Sequence, residues 1–265
     1  MPLSAQEWHT RFQKQATWTE SIRSFILERV PIRSTAHILE VGCGTGAILE
    51  DIRQIVDYSV NNSGSNGLRH SNIHGLDINE TYITLAQANL PLTSLVIGDA
   101  VSLPYRDNSY NITYCHFLLM WLDEPDKAVL EMQRVTLPGG MVIAFAEPDY
   151  GGRIDYPPEL EELGILQTKA LESQMADPYM GRKLASVFSQ AGLTDIQVGV
   201  LGGNWKIGDM NYDSDSEWAV VFSDLEAQVP EDKLNKYKNI SKQAHVEGTR
   251  ILFVPTFYAV GRVIE

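Results

Sequence analysis

An α/β fold with a doubly wound, mostly parallel seven-stranded sheet follows from three features of the 265-residue sequence. Short apolar runs alternate with segments of helical spacing, as in chains that cover a parallel sheet on both faces. The first run, His37-Ile38-Leu39-Glu40-Val41, leads straight into the glycine-rich turn Gly42-Cys43-Gly44-Thr45-Gly46 and a helix. Acidic residues stand at or just after the ends of three successive runs, at Glu40, Asp77 and Asp99.

Residues 6–30 read as an interrupted helix. Trp8 and Phe12 share one face, and Ile22, Phe25, Ile26 and Val30 form an apolar stripe behind a cap at Thr17 or Thr19. Ile48, Leu49, Ile52, Ile55 and Val56 keep helical spacing after the glycine turn. The polar stretch 58–72 has nothing to pack a core with and is expected as a surface loop. Strands are expected at 73–78, 94–97, 111–117 and 141–146. Asn79 should cap a helix that carries Tyr82, Ile83, Leu85 and Ala86. A helix over about 124–135 precedes the turn Leu137-Pro138-Gly139-Gly140.

Beyond residue 147 the alternation changes. Helices are expected over 157–175 and 179–191, the second opened by Asp177-Pro178 and closed by Gly192, before a strand at 195–201. Ser214 and Glu217 have capping-box spacing ahead of Trp218, Val221, Phe222 and Leu225. A further helix over 230–246 stops at Gly248, and 250–264 reads as one long strand bent at Pro255. The expected organisation is a single domain over 1–265 with no internal repeat. Within it, 1–30 is a helical cap, 35–150 a ligand-binding core, and 151–180 and 203–247 are helical insertions over a substrate site.

Composition narrows the function. The formal net charge is -13 and no Lys/Arg cluster is present, which disfavours nucleic-acid partners. No apolar run approaches the roughly 20 residues of a membrane span. The start, Met1-Pro2-Leu3-Ser4-Ala5, lacks the pattern of a signal peptide, so a cytoplasmic location is expected. Cys43 and Cys115 are too few for a disulfide framework, and no metal-ligand spacing occurs.

A strand, a glycine-rich turn and a helix together form a nucleotide-binding device, because small residues let the backbone approach and the helix start offers free N–H groups. The turn alone also satisfies the dinucleotide pattern, so a nicotinamide-dependent oxidoreductase is one alternative and a binding module without catalysis another. Glu40 tips the balance. A carboxylate at that point repels a pyrophosphate and holds an ammonium. Asp77 suits a ribose diol and Asp99 an adenine amino group, so the three acids fit a cationic adenosyl ligand.

The motifs are similar to those of class I S-adenosylmethionine-dependent methyltransferases. Ile38-Leu39-Glu40-Val41-Gly42-Cys43-Gly44-Thr45-Gly46 resembles the glycine motif and Gly75-Leu76-Asp77-Ile78 the second motif. Gly98-Asp99-Ala100, Leu103-Pro104-Tyr105 and Asp107-Asn108-Ser109-Tyr110-Asn111 resemble the third, and Arg134-Val135 with Leu137-Pro138-Gly139-Gly140 the turn before the fifth strand. Together they resemble the methyltransferase type 11 family over roughly residues 35–150, with Tyr110-Asn111 where that family usually has Phe-Asp.

The resemblance implies S-adenosylmethionine as cofactor. Glu40, Gly42, Gly44 and Gly46, with Cys43 and Thr45 in the same turn, are implied to hold its methionine end. Asp77 would hold the ribose, with Ile78 against the adenine, and Asp99 and Ala100 the base edge. His116 would lie beside the methionine part. Transfer from a sulfonium needs alignment more than a base. If a base is used, His116 is the first candidate, with Tyr150 and Asp149 next, and with His116 as base the rate should titrate near its pKa, about 6.5 when unperturbed. The acceptor is expected to be a small, partly apolar molecule covered by Gln15, Trp18, Trp121, Tyr150, Tyr156, Tyr179, Trp205 and Trp218.

Overall fold

The computed structural model describes residues 4–30, 32, 33, 35–62, 72–203 and 214–264. The strands are β1 (Ile38–Val41), β2 (Ile73–Asp77), β3 (Ser94–Ile97), β4 (Tyr110–Cys115), β5 (Thr136–Pro148), β6 (Ile154–Tyr156), β7 (Thr194–Val200), β8 (Ile251–Phe253) and β9 (Thr256–Arg262). The helices are α1 (Ala5–Trp18), α2 (Glu20–Leu27), α3 (Ala47–Asn62), α4 (Glu80–Asn89), α5 (Pro125–Val135), α6 (Glu161–Ser173), α7 (Met180–Gln190), α8 (Ser214–Leu225) and α9 (Glu231–Val246).

The main sheet has seven strands in the order β3-β2-β1-β4-β5-β9-β7. β1 to β5 pair in parallel, whereas β9 runs antiparallel to both β5 and β7. The chain moves outward from β1 to β3 and then returns to β4 on the other side of β1, so the strand order reverses between β1 and β4. Open α/β sheets bind ligands beyond the carboxyl ends of the strands at such a reversal.

Strand residues divide between two cores. Leu39, Val41, Cys115, Val142 and Ala144 pack with α5 and α7 on one face. Ile38, Ile112, Tyr114, Ile143 and Phe145 pack with α2 and α3 on the other. This is the period-2 alternation of a strand covered on both sides. Leu39 is fully buried, and Leu39→Ala should cost about 2–5 kcal/mol.

Local sequence sets the ends of the helices. Ser4 and Glu7 form a reciprocal capping box at α1. The Asn79 side chain accepts from Thr81 and Tyr82 amides at α4, and Pro125 opens α5. Gly192, with φ +74°, lies just past α7 in the conformation that favours glycine.

Four expectations need correction. α3 runs to Asn62, so 58–62 is helix and not loop. A nucleated helix propagates without apolar residues on its exposed side. The rest of the expected loop, 63–71, falls outside the described residues. β5 begins at Thr136, and the Leu137–Gly140 turn is a register break inside it: Tyr110 pairs with Thr136 and Ile112 with Met141. Residues 250–264 are two strands. β8 pairs with β6 in a separate two-stranded sheet, and β9 joins the main one. Pro255 lies between them and has no N–H to continue a ladder. β6 itself was not foreseen. The Ser214–Glu217 side chains and Trp205 lie outside the described residues.

Candidate active site

The turn after β1 is built for close approach. Gly42, Gly44 and Gly46 have φ of +75°, +51° and +83°. A Cβ at Gly42 would come within 2.7 Å of Leu118 Cδ1, and one at Gly46 within 2.9 Å of Leu90. The Gly42 and Cys43 amides donate to the Leu76 carbonyl at 2.8 and 2.9 Å. The Gly44 amide donates to Asp77 Oδ2 at 2.7 Å, and the Asn79 amide to Asp77 Oδ1 at 2.9 Å. Asp77 therefore ties the end of β2 to the turn after β1. Burial raises its carboxyl above the usual range, against the pull of those donors.

Glu40 and Tyr114 are register partners in β1 and β4. The Tyr114 hydroxyl donates to Glu40 Oε2 at 3.1 Å. Burial pushes the Glu40 carboxyl up to about 8, although the Tyr114 hydrogen bond and the Arg23 charge oppose it. A buried carboxyl with too few donors holds its proton until a cation arrives.

His116 follows β4, and its Nε2 lies 2.7 Å from Thr19 Oγ1. Burial, assisted by the Arg23 charge, lowers the imidazole to about 3. The ring is therefore neutral across ordinary pH. The unperturbed value of about 6.5 does not apply, and the ring is a weak base.

These groups border one cavity of about 1390 Å³. The volume exceeds the roughly 300–1,000 Å³ of a site for one drug-sized ligand. Glu40, Gly42, Cys43, Gly44, Asp77, Ile78, Asn79 and Tyr82 line it on the strand-end side. Helix α1 contributes Trp8, Phe12, Gln15 and Trp18, and α8 contributes Val220, Ser223 and Asp224. His116, Trp121, Tyr150 and the stretch Leu252, Phe253 and Val254 complete it. Phe12 lies over the turn: its ring is 3.3 Å from where a Gly44 Cβ would sit, and it meets Tyr82 edge-on at 5.9 Å.

Several expected residues lie elsewhere. Thr45 is buried with its hydroxyl 2.9 Å from His9 Nδ1. Gly46 backs onto Leu90 and Ala86. Asp99 and Ala100 do not border the cavity: Asp99 Oδ1 accepts from the Val101 amide, and Ala100 is in the core. Asp149 is paired with Arg182, through Nε and through Nη2 at 2.6 Å, and does not border the cavity. Tyr150 does, and burial holds its phenol at about 12. Of the expected aromatic cover, Trp18 and Trp121 line the cavity. Tyr156 is half-exposed elsewhere, Tyr179 packs by Gly151, and Trp218 is in the α6–α8–α9 core.

Sequence reading missed Thr19 as a partner of His116, and Arg23, Tyr114 and Glu147. Arg23 is 1% exposed within the stripe of Ile22 and Ile26, and a lone charge in an apolar stripe was its signal. Tyr114 became visible only through strand register. Glu147 is buried and accepts from the amides of Leu118, Leu119 and Met120 at 2.8 to 3.1 Å. It thereby anchors the short 3₁₀ turn Leu119–Trp121 that presents Trp121 to the cavity. Burial raises this carboxyl to about 7.

Among the described residues there is no cluster of His, Cys, Asp or Glu fit for a metal, and no helix long and apolar enough to cross a membrane.

Comparison with known proteins gives the same chemistry a family. Residues 39–144 match the family described as methyltransferase domain (type 11). The chain is 31% identical over 168 residues to an uncharacterised methyltransferase of Schizosaccharomyces pombe, covering 62% of this chain and 58% of that protein. It is 28% identical over 200 residues to a demethylmenaquinone methyltransferase of Desulfitobacterium hafniense, covering 68% and 75%. The chain thus spans little more than half the length of the yeast relative. In three dimensions it is similar to the putative methyltransferase solved with the Trm112 activator of Haloferax volcanii, with a TM-score of 0.58 and 17% identity over 97% of this chain and 95% of that one. The glycine turn, Glu40 and Asp77 all fall inside the matched segment, and residues 39–144 are a methyltransferase domain of the type 11 family.

Proposed function

We propose that the protein transfers the methyl group of S-adenosylmethionine to a small-molecule acceptor. The observation that carries this reading is that the glycine turn, Glu40 and Asp77 share one cavity with His116, Trp121 and Tyr150. Gly42 and Gly44 let the methionine part approach the backbone, and Glu40 binds its ammonium. Asp77 binds the ribose hydroxyls, and Ile78, 71% exposed, covers the adenine. When bound, the cofactor supplies an electrophilic methyl on a good, neutral leaving group. The chain orients the acceptor against it with the walls of α1, α8 and the 252–254 stretch. The described parts of the segments 1–30, 151–180 and 203–247 act as the cap and insertions over this site, contributing residues such as Trp8, Leu171, Gln174 and Val220.

The mixed apolar and polar lining supports a small, partly apolar acceptor over a nucleic acid, as does the net charge of -13. Relatives described as demethylmenaquinone and sterol methyltransferases act on molecules of that kind. The free thiols of Cys43 and Cys115 accord with a reducing compartment such as the cytoplasm. The test is incubation with methyl-labelled S-adenosylmethionine and a metabolite extract. Label should appear in a low-molecular-mass product. Cofactor binding without any labelled product would leave a binding module in place of an enzyme.

A further inference from the structure

The Thr19 hydroxyl has one proton to give and two positions at which to accept. Arg23 Nη1 donates to Thr19 Oγ1 at 2.6 Å, which fills one of those positions. The Ala16 carbonyl lies 3.3 Å from the hydroxyl. That carbonyl already accepts from Arg23 Nη1 at 2.9 Å and from the Thr19 amide at 3.2 Å, so both its lone pairs are engaged. His116 Nε2 is nearer, at 2.7 Å. A guanidinium donating into Oγ1 also polarises the hydroxyl into a better donor. The Thr19 proton therefore goes to Nε2, and the proton of the neutral ring sits on Nδ1. Arg23 is itself held in place: its Nε donates to Asp51 Oδ2 at 2.6 Å. Nδ1 has no hydrogen-bond partner among the described residues, and His116 borders the cavity.

We propose that Thr19, braced by Arg23 and Asp51, fixes His116 as the Nδ1–H tautomer, so that the ring offers a hydrogen-bond donor to an oxygen of the acceptor. The inference rests on the proposed methyl transfer and names the class of molecule that it uses. A neutral donor recognises an oxyanion such as an enolate or phenolate. The acceptor enters in that anionic form. Its electron pair forms the bond to the methyl carbon, the C–S bond breaks, its pair returns to sulfur, and no proton moves in the step. Thr19 and Arg23 are positioning residues, and His116 is the group that touches the acceptor. The charged and titratable groups that border the same cavity are Arg11 and Lys14 from α1, Glu40 from β1, Cys43 in the glycine turn, Asp77 from β2, Tyr82 from α4, Tyr150 after β5, Asp224 from α8, His245 from α9 and Arg250 before β8, while Arg23 from α2 reaches the ring through Thr19. Of these, Arg23 is the one whose charge bears on His116.

The experiment is long-range ¹H–¹⁵N NMR of the full chain labelled with ¹⁵N-histidine, with S-adenosylhomocysteine added. The chain has six histidines, and the His116 signals are those lost in His116→Asn. The expected result at pH 7 is a bare Nε2 and a protonated Nδ1. Thr19→Val should shift the ring toward a mixture of tautomers, with Thr19→Ser restoring the original spectrum. Thr19→Val should also lower the saturated rate about tenfold while affinity for S-adenosylhomocysteine stays within about threefold. A proton on Nε2, or on both nitrogens, would overturn the proposal even if Thr19→Val failed to fold. A labelled product methylated only on an amine distant from any oxygen would overturn the assigned acceptor class. No shift in melting temperature with S-adenosylhomocysteine would instead count against the cofactor reading, and the tautomer would be read independently of it.

Discussion

The Tyr114 hydroxyl donates to the Glu40 carboxyl at 3.1 Å between two central strands, and both residues are 1% exposed. One hydrogen bond is a thin environment for a buried carboxylate, which is why the group stays protonated up to about 8. An ammonium placed beside it favours the ionised form. Cofactor binding at pH 7 should therefore release up to about one proton from the protein. Calorimetric titrations in buffers of different ionisation enthalpy measure this directly. Glu40→Gln should abolish the release and weaken binding. A binding enthalpy independent of buffer would remove Glu40 from the ammonium site.

The same carboxyl makes the free protein sensitive to alkali. Glu40 in the folded chain keeps its proton to about 8, against an ordinary value of 4.5. The folded state thus binds more protons than the unfolded one in this window, and stability falls as pH rises from 4.5 toward 8. Glu40→Gln cannot ionise, so its melting temperature should gain on the wild type as pH increases from 5 to 8. A gap that stays constant across that range would contradict the assignment.

Asp77 should separate binding from turnover. It accepts from the Gly44 and Asn79 amides and borders the cavity. A lost charge-assisted hydrogen bond is typically worth about 1.5–3 kcal/mol. Asp77→Asn should therefore weaken cofactor binding by roughly tenfold to a hundredfold while largely sparing the saturated rate. Steady-state kinetics with varied cofactor reads both quantities. A large loss of saturated rate with unchanged affinity would contradict this division.

Asp149 and Tyr150 are neighbours in sequence with different fates. Asp149 is held by Arg182 away from the cavity, whereas Tyr150 borders it. Asp149→Asn should lower the melting temperature and leave the pH–rate profile unchanged. Tyr150→Phe should raise the acceptor KM several-fold, since a phenol held at about 12 remains a donor and not a base. A pH profile altered by Asp149→Asn would restore that residue as a base.

Much of the parallel half of the fold was legible because local turn and cap chemistry marks where several strands end. Gly42-Cys43-Gly44-Thr45-Gly46 needs positive φ, and Asn79 is a cap wherever it precedes such a helix. What was hidden is non-local. Residues 250–264 read as one strand because nothing in the segment reveals that β6 exists to pair with β8. Strand-end position does not show which way a side chain faces: Asp99 does not border the cavity, and its Oδ1 accepts from the Val101 amide. His116 borders the cavity, but its protonation state was not legible. Its neutral state comes from burial and from the charge of Arg23, which lies far away in sequence.

The cofactor claim is tested most directly by calorimetric titration of the protein with S-adenosylhomocysteine and, separately, with NAD. The account predicts saturable 1:1 binding of S-adenosylhomocysteine, abolished or strongly weakened in Glu40→Gln, and no binding of NAD at the same concentration. Saturable binding of NAD with none of S-adenosylhomocysteine would contradict it.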